Sequence, residues 1–168
     1  MKNKEKIFLE LVDKHKGIIY KISNSYCADS EDRKDVIQEI IIQLWSSYDS
    51  YDPKFKISTW IYRISLNTAI SFYRKNKLRK AKTSPLSSTI VSSKEAEKEL
   101  CEDPNIAKLQ EFILELREIE KALILLYLDG ISQKEIAEIV GISQTNAGTK
   151  ISRIKKILRD KFKNIQKL

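Results

Sequence analysis

Residues 131–156 read ISQKEIAEIVGISQTNAGTKISRIKK, two short capped helices around a glycine. Ser132 with Glu135 has the form of a capping box, which satisfies amide donors left orphaned at a helix start. Ile136, Ala137, Ile139 and Val140 give the first helix a buried stripe, and Gly141 suits the left-handed conformation that ends it. Ser143 then caps a second helix, in which Ala147, Ile151, Ile154 and Leu158 recur at helical spacing and face inward. Gln144, Thr145, Gly148, Thr149, Ser152, Arg153 and Lys156 point outward. Amides, hydroxyls and cations are the groups that contact base edges and phosphates when a recognition helix lies in the major groove. A plain helical hairpin with a solvated outer face is the alternative. The coincidence of glycine turn and basic outer face favours a helix-turn-helix.

The chain has 168 residues, 42% of them hydrophobic, enough for one medium domain or two small ones with real cores. Its formal net charge is +8, which makes nucleic acid the favoured partner. No apolar run approaches the ~18 residues that a membrane span requires, so no membrane insertion is expected. The N-terminal stretch MKNKEKIFLELVDKHKG is amphipathic and lacks a small-residue cleavage site, which points to a cytoplasmic protein. Cys27 and Cys101 are far apart and unaccompanied by a histidine pair. They give neither a zinc site nor a disulfide framework, read as free thiols, and no metal or cofactor is expected.

No segment alternates as a strand, and the fold class is all-α. Apolar spacing from Phe8 and Leu9 to Ile22 reads as one helix or a pair, with Gly17 a weak point. Asp29 or Ser30 can cap a helix with an acidic first turn and a stripe of Val36, Ile37, Ile40, Ile41, Leu44 and Trp45. Tyr48 to Lys56 is turn-rich around Pro53, after which Ser58 or Thr59 can cap a third helix running to about Lys77. The serine- and charge-rich stretch from Arg79 to Asp103 reads as a flexible linker. Asp103 and Pro104 restart helical spacing at Ile106, Leu109, Phe112, Ile113 and Leu116; a further helix from Ile119 to Leu128 ends at Asp129 and Gly130. The expected organisation is two small helical domains, 1–78 and 104–168, joined by a linker over 79–103.

Two further surfaces stand out. On the third helix Thr59, Arg63, Asn67, Ser71 and Arg74 share a polar face, with Ile57, Trp60, Ile61, Ile64 and Ala69 read as core and Tyr62, Leu66, Ile70 and Tyr73 at the flanks. Arg74, Lys75, Lys77, Arg79, Lys80 and Lys82 follow, cations that attract a phosphate backbone beside aromatics suited to stacking on unpaired bases. The second helix instead turns outward Asp35, Gln38, Glu39 and Gln43 around the apolar Ile42. An acidic face repels DNA, and an exposed isoleucine there would suit a protein partner, but a single exposed isoleucine is common on inert surfaces and the residues alone favour that plainer reading.

DVIQEIIIQLW, STWIYRISLNTAISFYRKNK and the helix-turn-helix, in this order and over nearly the whole chain, resemble the extracytoplasmic-function sigma factors of bacterial RNA polymerase. The resemblance implies sigma region 2, a linker and a helix-turn-helix region 4, in a non-enzymatic subunit that directs promoter-specific initiation. It implies that Asp35, Gln38, Glu39 and Ile42 contact core polymerase. Tyr51, Lys56, Trp60, Arg63, Asn67 and Arg74 would lie at the melted minus-ten strand, with the Tyr51–Lys56 loop near a flipped base. Gln133, Gln144, Thr145, Thr149, Lys150, Arg153 and Lys156 would face the minus-thirty-five duplex or its phosphates. Anti-sigma partners are common in the family. The chain departs from the family pattern at Arg117, where proline is frequent, at Asn146, where threonine is usual, and at Gly148, where a lysine or similar side chain often sits.

Two other readings bear on the same residues. An ordinary helix-turn-helix regulator would bind a palindrome as a symmetric dimer. A nuclease or recombinase would need an acid or histidine cluster, and the only histidine, His15, reads as a surface residue of the first helix with no such cluster around it.

Overall fold

The computed structural model describes residues 2–83 and 103–165, and every regular element among them is helical. The chain divides into two compact units. The first holds α1 (Lys2–Tyr26), α2 (Ser30–Ser47) and α3 (Ile57–Thr83), with a 3-10 turn at Tyr48–Ser50. The second holds α4 (Pro104–Leu114), α5 (Glu118–Leu128), α6 (Gln133–Val140) and α7 (Gln144–Ile165). The linker expected from residue 79 is helical through Thr83, and its remainder over 84–102 lies outside the described residues. No helix among the described residues is long and apolar enough to cross a membrane.

In the first unit each helix packs on the other two. α1 contributes Phe8, Ile19, Ile22 and Tyr26, α2 contributes Val36, Ile40 and Leu44, and α3 contributes Ile61, Leu66 and Ala69. α1 is one helix, and Gly17 does not break it: the position faces open space, and the roughly 1 kcal/mol helical cost of a glycine is outweighed by packing on either side. Asp29 is the cap of α2, its carboxylate accepting from the amides of Glu31 and Asp32, both at 3.0 Å. Trp45 is exposed rather than core; it lies at the edge of the bundle, with its ring 4.9 Å from that of Phe8.

The third helix differs most from its expected pattern. It begins at Ile57, so neither Ser58 nor Thr59 caps it. Thr59 is only 8% exposed and leaves the polar face, while Tyr62, Leu66 and Ile70 are buried and Ile57, Trp60 and Ile64 are only partly covered. The cause is double packing: α3 lies against both α1 and α2, so its buried arc is wider than one neighbour would impose. Its C-terminus runs past Lys77 because Leu78, Arg79, Lys80, Ala81 and Lys82 are good helix formers, and cations favour the negative end of the helix dipole. Lys80 also reaches Asp32 of α2 at 3.2 Å.

The second unit is centred on α5, where every residue from 121 to 126 is buried. Such all-round burial marks a central helix. It is covered by α7 and α6, and α4 packs on both α5 and α7. Asp103 caps α4 by accepting from the Asn105 amide at 2.8 Å, with Pro104 in the first turn as expected. Gly130, at φ 73°, lets the chain leave α5 in the left-handed region.

His15 was expected at the surface. It is half-buried, and its Nε2 is shielded with no hydrogen-bond partner among the described residues. Burial, with a smaller push from Lys14, holds the imidazole below its ordinary value of 6.5. Below that pH the unfolded chain takes up a proton that folded His15 resists, so this contribution to stability is full above pH 6.5 and is lost as pH falls toward the folded value. His15→Gln should therefore flatten the decline in unfolding temperature between about pH 7 and about pH 5.5, read by circular dichroism. Leu44, 1% exposed, fills the centre of the same unit. Leu44→Ala should lower its stability in urea unfolding by about 2–5 kcal/mol.

Candidate nucleic-acid interface

The turn between α6 and α7 follows the expected local chemistry. The Ser132 hydroxyl accepts from the Glu135 amide at 3.3 Å and donates to the Glu135 carboxylate at 3.0 Å, so the box closes through the two side chains. Gly141 has φ 79°, and its amide and that of Ile142 both donate to the Ala137 carbonyl, at 2.9 and 3.1 Å. The Ser143 hydroxyl accepts from the Asn146 amide at 3.2 Å and starts α7. These caps fix where α7 begins and so which residues face each way.

Ala147, Ile151, Ile154 and Leu158 are buried against α5 and α6. Gln144, Thr145, Thr149, Ser152, Arg153 and Lys156 are exposed, Lys150 is half-buried, and Gln133 is exposed at the start of α6. The Thr149 hydroxyl donates to the Thr145 carbonyl at 3.0 Å, which leaves its lone pairs free to accept. Gly148 was expected outward but is half-buried against the Gln133 side chain. Lys155, which the sequence did not single out, donates to the Tyr127 hydroxyl at 2.8 Å and lies 4.6 Å from the centre of its ring, tying α7 to α5. At Arg117 the backbone holds φ −69°, the value that proline's ring would impose, and its amide donates to the Glu120 carboxylate at 3.1 Å.

In the first unit Arg63, Asn67, Ser71 and Arg74 remain together on the exposed face of α3. The preceding loop is built by its own polar groups. The Asp52 carboxylate accepts from the Lys54 amide at 3.0 Å, the Phe55 amide donates to the Asp52 carbonyl at 3.1 Å, and the Tyr51 hydroxyl donates to the Phe55 carbonyl at 2.6 Å. The Tyr51 ring lies 5.3 Å from that of Trp60, fastening the loop to the first turn of α3, and Lys56 is exposed beside it. Phe55, which the sequence pattern does not single out, is 51% exposed at the loop tip. An aromatic inside a turn-rich stretch, where no core is near, was the available signal.

On α2, Asp35 and Gln38 are exposed, Glu39 is half-buried and accepts from the Gln43 amide at 2.9 Å, and Ile42 is 55% exposed. This face is not isolated from the α3 ribbon. A groove of about 620 Å³ runs between the helices, with Asp35 and Glu39 on one wall and Asn67, Ser71 and Lys75 on the other. One side is acidic and the other amide, hydroxyl and cation.

Comparison with known proteins bears on the family and the fold. The model of Sigma-70 region 2 matches residues 11–79, and that of Sigma-70 region 4 matches residues 106–158. The ECF RNA polymerase sigma factor SigW of Bacillus subtilis is 31% identical over 98% of this chain and 93% of its own length. The ECF RNA polymerase sigma-E factor of Escherichia coli K12 is 30% identical over 95% of this chain and 88% of its own. Among solved structures, the sigma factor RpoE of Bartonella quintana, in complex with the anti-sigma factor NepR, shares the helical fold with a TM-score of 0.76 at 16% identity, over 97% of this chain and 98% of that one. Two matched regions in the expected order and full-length relatives place the chain: it belongs to the extracytoplasmic-function sigma factors, which direct promoter-specific initiation by RNA polymerase.

Proposed function

We propose that the chain performs this task through three surfaces and no chemical step of its own. Asp35, Gln38, Glu39 and Ile42 dock on core polymerase in the cytoplasm. Tyr51, Lys56, Trp60, Arg63, Asn67 and Arg74 hold the melted minus-ten strand. Gln133, Gln144, Thr145, Thr149, Lys150, Arg153 and Lys156 engage the minus-thirty-five duplex. Residues 1–78 act as the region 2 domain, 104–168 as the region 4 domain, and 79–103 as their connection.

The observation that carries the reading is the contrast between exposed faces. The outward side of α7 offers hydroxyls, an amide and cations, the types that contact base edges and phosphates, whereas the outward side of α2 is acidic around an exposed isoleucine. An acidic helix repels a phosphate backbone and suits a protein. α3 carries an ordered polar ribbon, preceded by a loop with aromatics. Extruding a base costs a few kcal/mol, and stacking returns about 1–3 kcal/mol per base, so capture of the unpaired strand shifts the duplex toward opening without ATP.

The RpoE structure includes an anti-sigma factor, and CnrH has been solved with the cytosolic domain of CnrY. A regulator of that kind would restrain this chain until a signal frees it. The exposed Ile42 among acids and amides is the feature of this chain that a protein partner of either kind would cover.

Run-off transcription with purified core polymerase and cognate genomic templates tests the whole reading: promoter-dependent product is expected, and none from any template would reject it. Replacing Asp35, Gln38 and Glu39 together with alanine should weaken association with core polymerase by about tenfold or more while circular dichroism stays unchanged. Undiminished association in the folded variant would remove the docking face from the proposal.

A further inference from the structure

Gly148 lies just after the first turn of α7, and a Cβ placed on it would meet the Gln133 side chain: 3.1 Å from Nε2, 3.4 Å from Oε1 and 3.5 Å from Cδ. Gln133 is the first residue of α6, so an amide from one helix rests on bare backbone of the next. On α7 the neighbours of position 148 at helical spacing are the exposed Gln144, Thr145 and Ser152 and the buried Ile151, so 148 sits at the edge of the outward face. The Gln133 amide therefore joins the outward face of the recognition helix without belonging to it. The space that glycine leaves is not open for a phosphate to approach the backbone; the amide fills it.

We infer that Gly148 and Gln133 form a specificity pair: the missing side chain seats the Gln133 amide on the groove-facing surface, where it reads one base pair of duplex DNA and prefers adenine. The inference rests on the reading of α7 as the groove helix. An amide offers a donor and an acceptor side by side, which matches adenine N6 and N7 on the major-groove edge. Gly148 acts as a positioning residue and touches no base. A methyl at 148 presses the amide aside by a few tenths of an ångström and a leucine side chain takes its place; because Gln133 is exposed and the contact is made by its flexible end, the amide yields while α6 and α7 stay packed. Folding and reading thus respond oppositely. Alanine and leucine are better helix formers than glycine, so both substitutions leave the fold intact or raise its Tm.

The full-length chain is used to select binding sites from a random-sequence duplex library, and the selected duplex and its single-base variants are then titrated with wild type, Gln133→Ala, Gly148→Ala, Gly148→Leu and Gln133→Ala/Gly148→Leu. Wild type should prefer adenine at one position by about tenfold. Gln133→Ala and Gly148→Leu should each flatten that preference, the double variant should lose nothing more, and Gly148→Ala should weaken it while its Tm does not fall. Preferences at other positions should persist. A Gly148→Leu variant that keeps the adenine preference, or a double variant whose losses add, overturns the pairing. If wild type selects a site and Gln133→Ala retains every preference, the pair fails while the groove helix stands. If wild type selects no duplex at all, the groove reading fails and takes the pair with it.

Discussion

The packing of Ala147, Ile151, Ile154 and Leu158 against α5 and α6 is the contact on which the DNA-facing side of this protein depends. A helix can bury only one arc when it lies on the surface of a small unit, and the stripe chosen for burial fixes what is left outside. Turning α7 by a single residue, about 100°, would carry Thr149 and Arg153 toward α5 and expose isoleucines. The caps at Ser132 and Ser143 and the left-handed Gly141 hold the stripe in phase with its partners. Base-reading chemistry on the outer face is therefore inherited from apolar chemistry on the inner one.

The first unit obeys the same constraint with a different result. α3 is covered from two sides, so its exposed arc narrows to the line of Arg63, Asn67, Ser71 and Arg74, while Thr59 and Leu66 are drawn inside. A narrow polar line suits a single strand better than a duplex, because the cations and amides follow one backbone and neighbouring aromatics can stack on unpaired bases. The groove shared with α2 sets Asn67 and Ser71 opposite Asp35 and Glu39. A partner seated on the acidic wall and a strand lying along the ribbon would be immediate neighbours.

Departures from the family pattern are absorbed locally. Arg117 keeps the backbone angle a proline would enforce and uses the amide that proline lacks to engage Glu120. Gly148 gives up a side chain, and the Gln133 amide of the neighbouring helix lies against the position its Cβ would take. Backbone geometry is preserved in both cases, and the side-chain chemistry is rearranged around it.

Local rules written in the sequence settled the helical class, the order of elements, the caps at Asp103, Ser132 and Ser143, and the whole inward stripe of α7, because each depends on residues within a turn or two of one another, while the cap of α2 was narrowed to Asp29 or Ser30. The motifs on which the family resemblance stood are of this short-range kind. What the chain alone left open depended on neighbours distant in sequence. Whether Gly17 interrupts α1 was decided by packing on both sides of it, the buried arc of α3 by having two partners, and the covering of His15 by the bundle around it. The end of α3 beyond Lys77 was obscured because the cations that continue the helix also mark a linker by composition. The seating of Gln133 on Gly148 joins two helices across a turn, and no periodicity along one chain segment encodes a contact of that sort; only the folded unit, where the absent side chain becomes a space and the amide has one place to go, decides it.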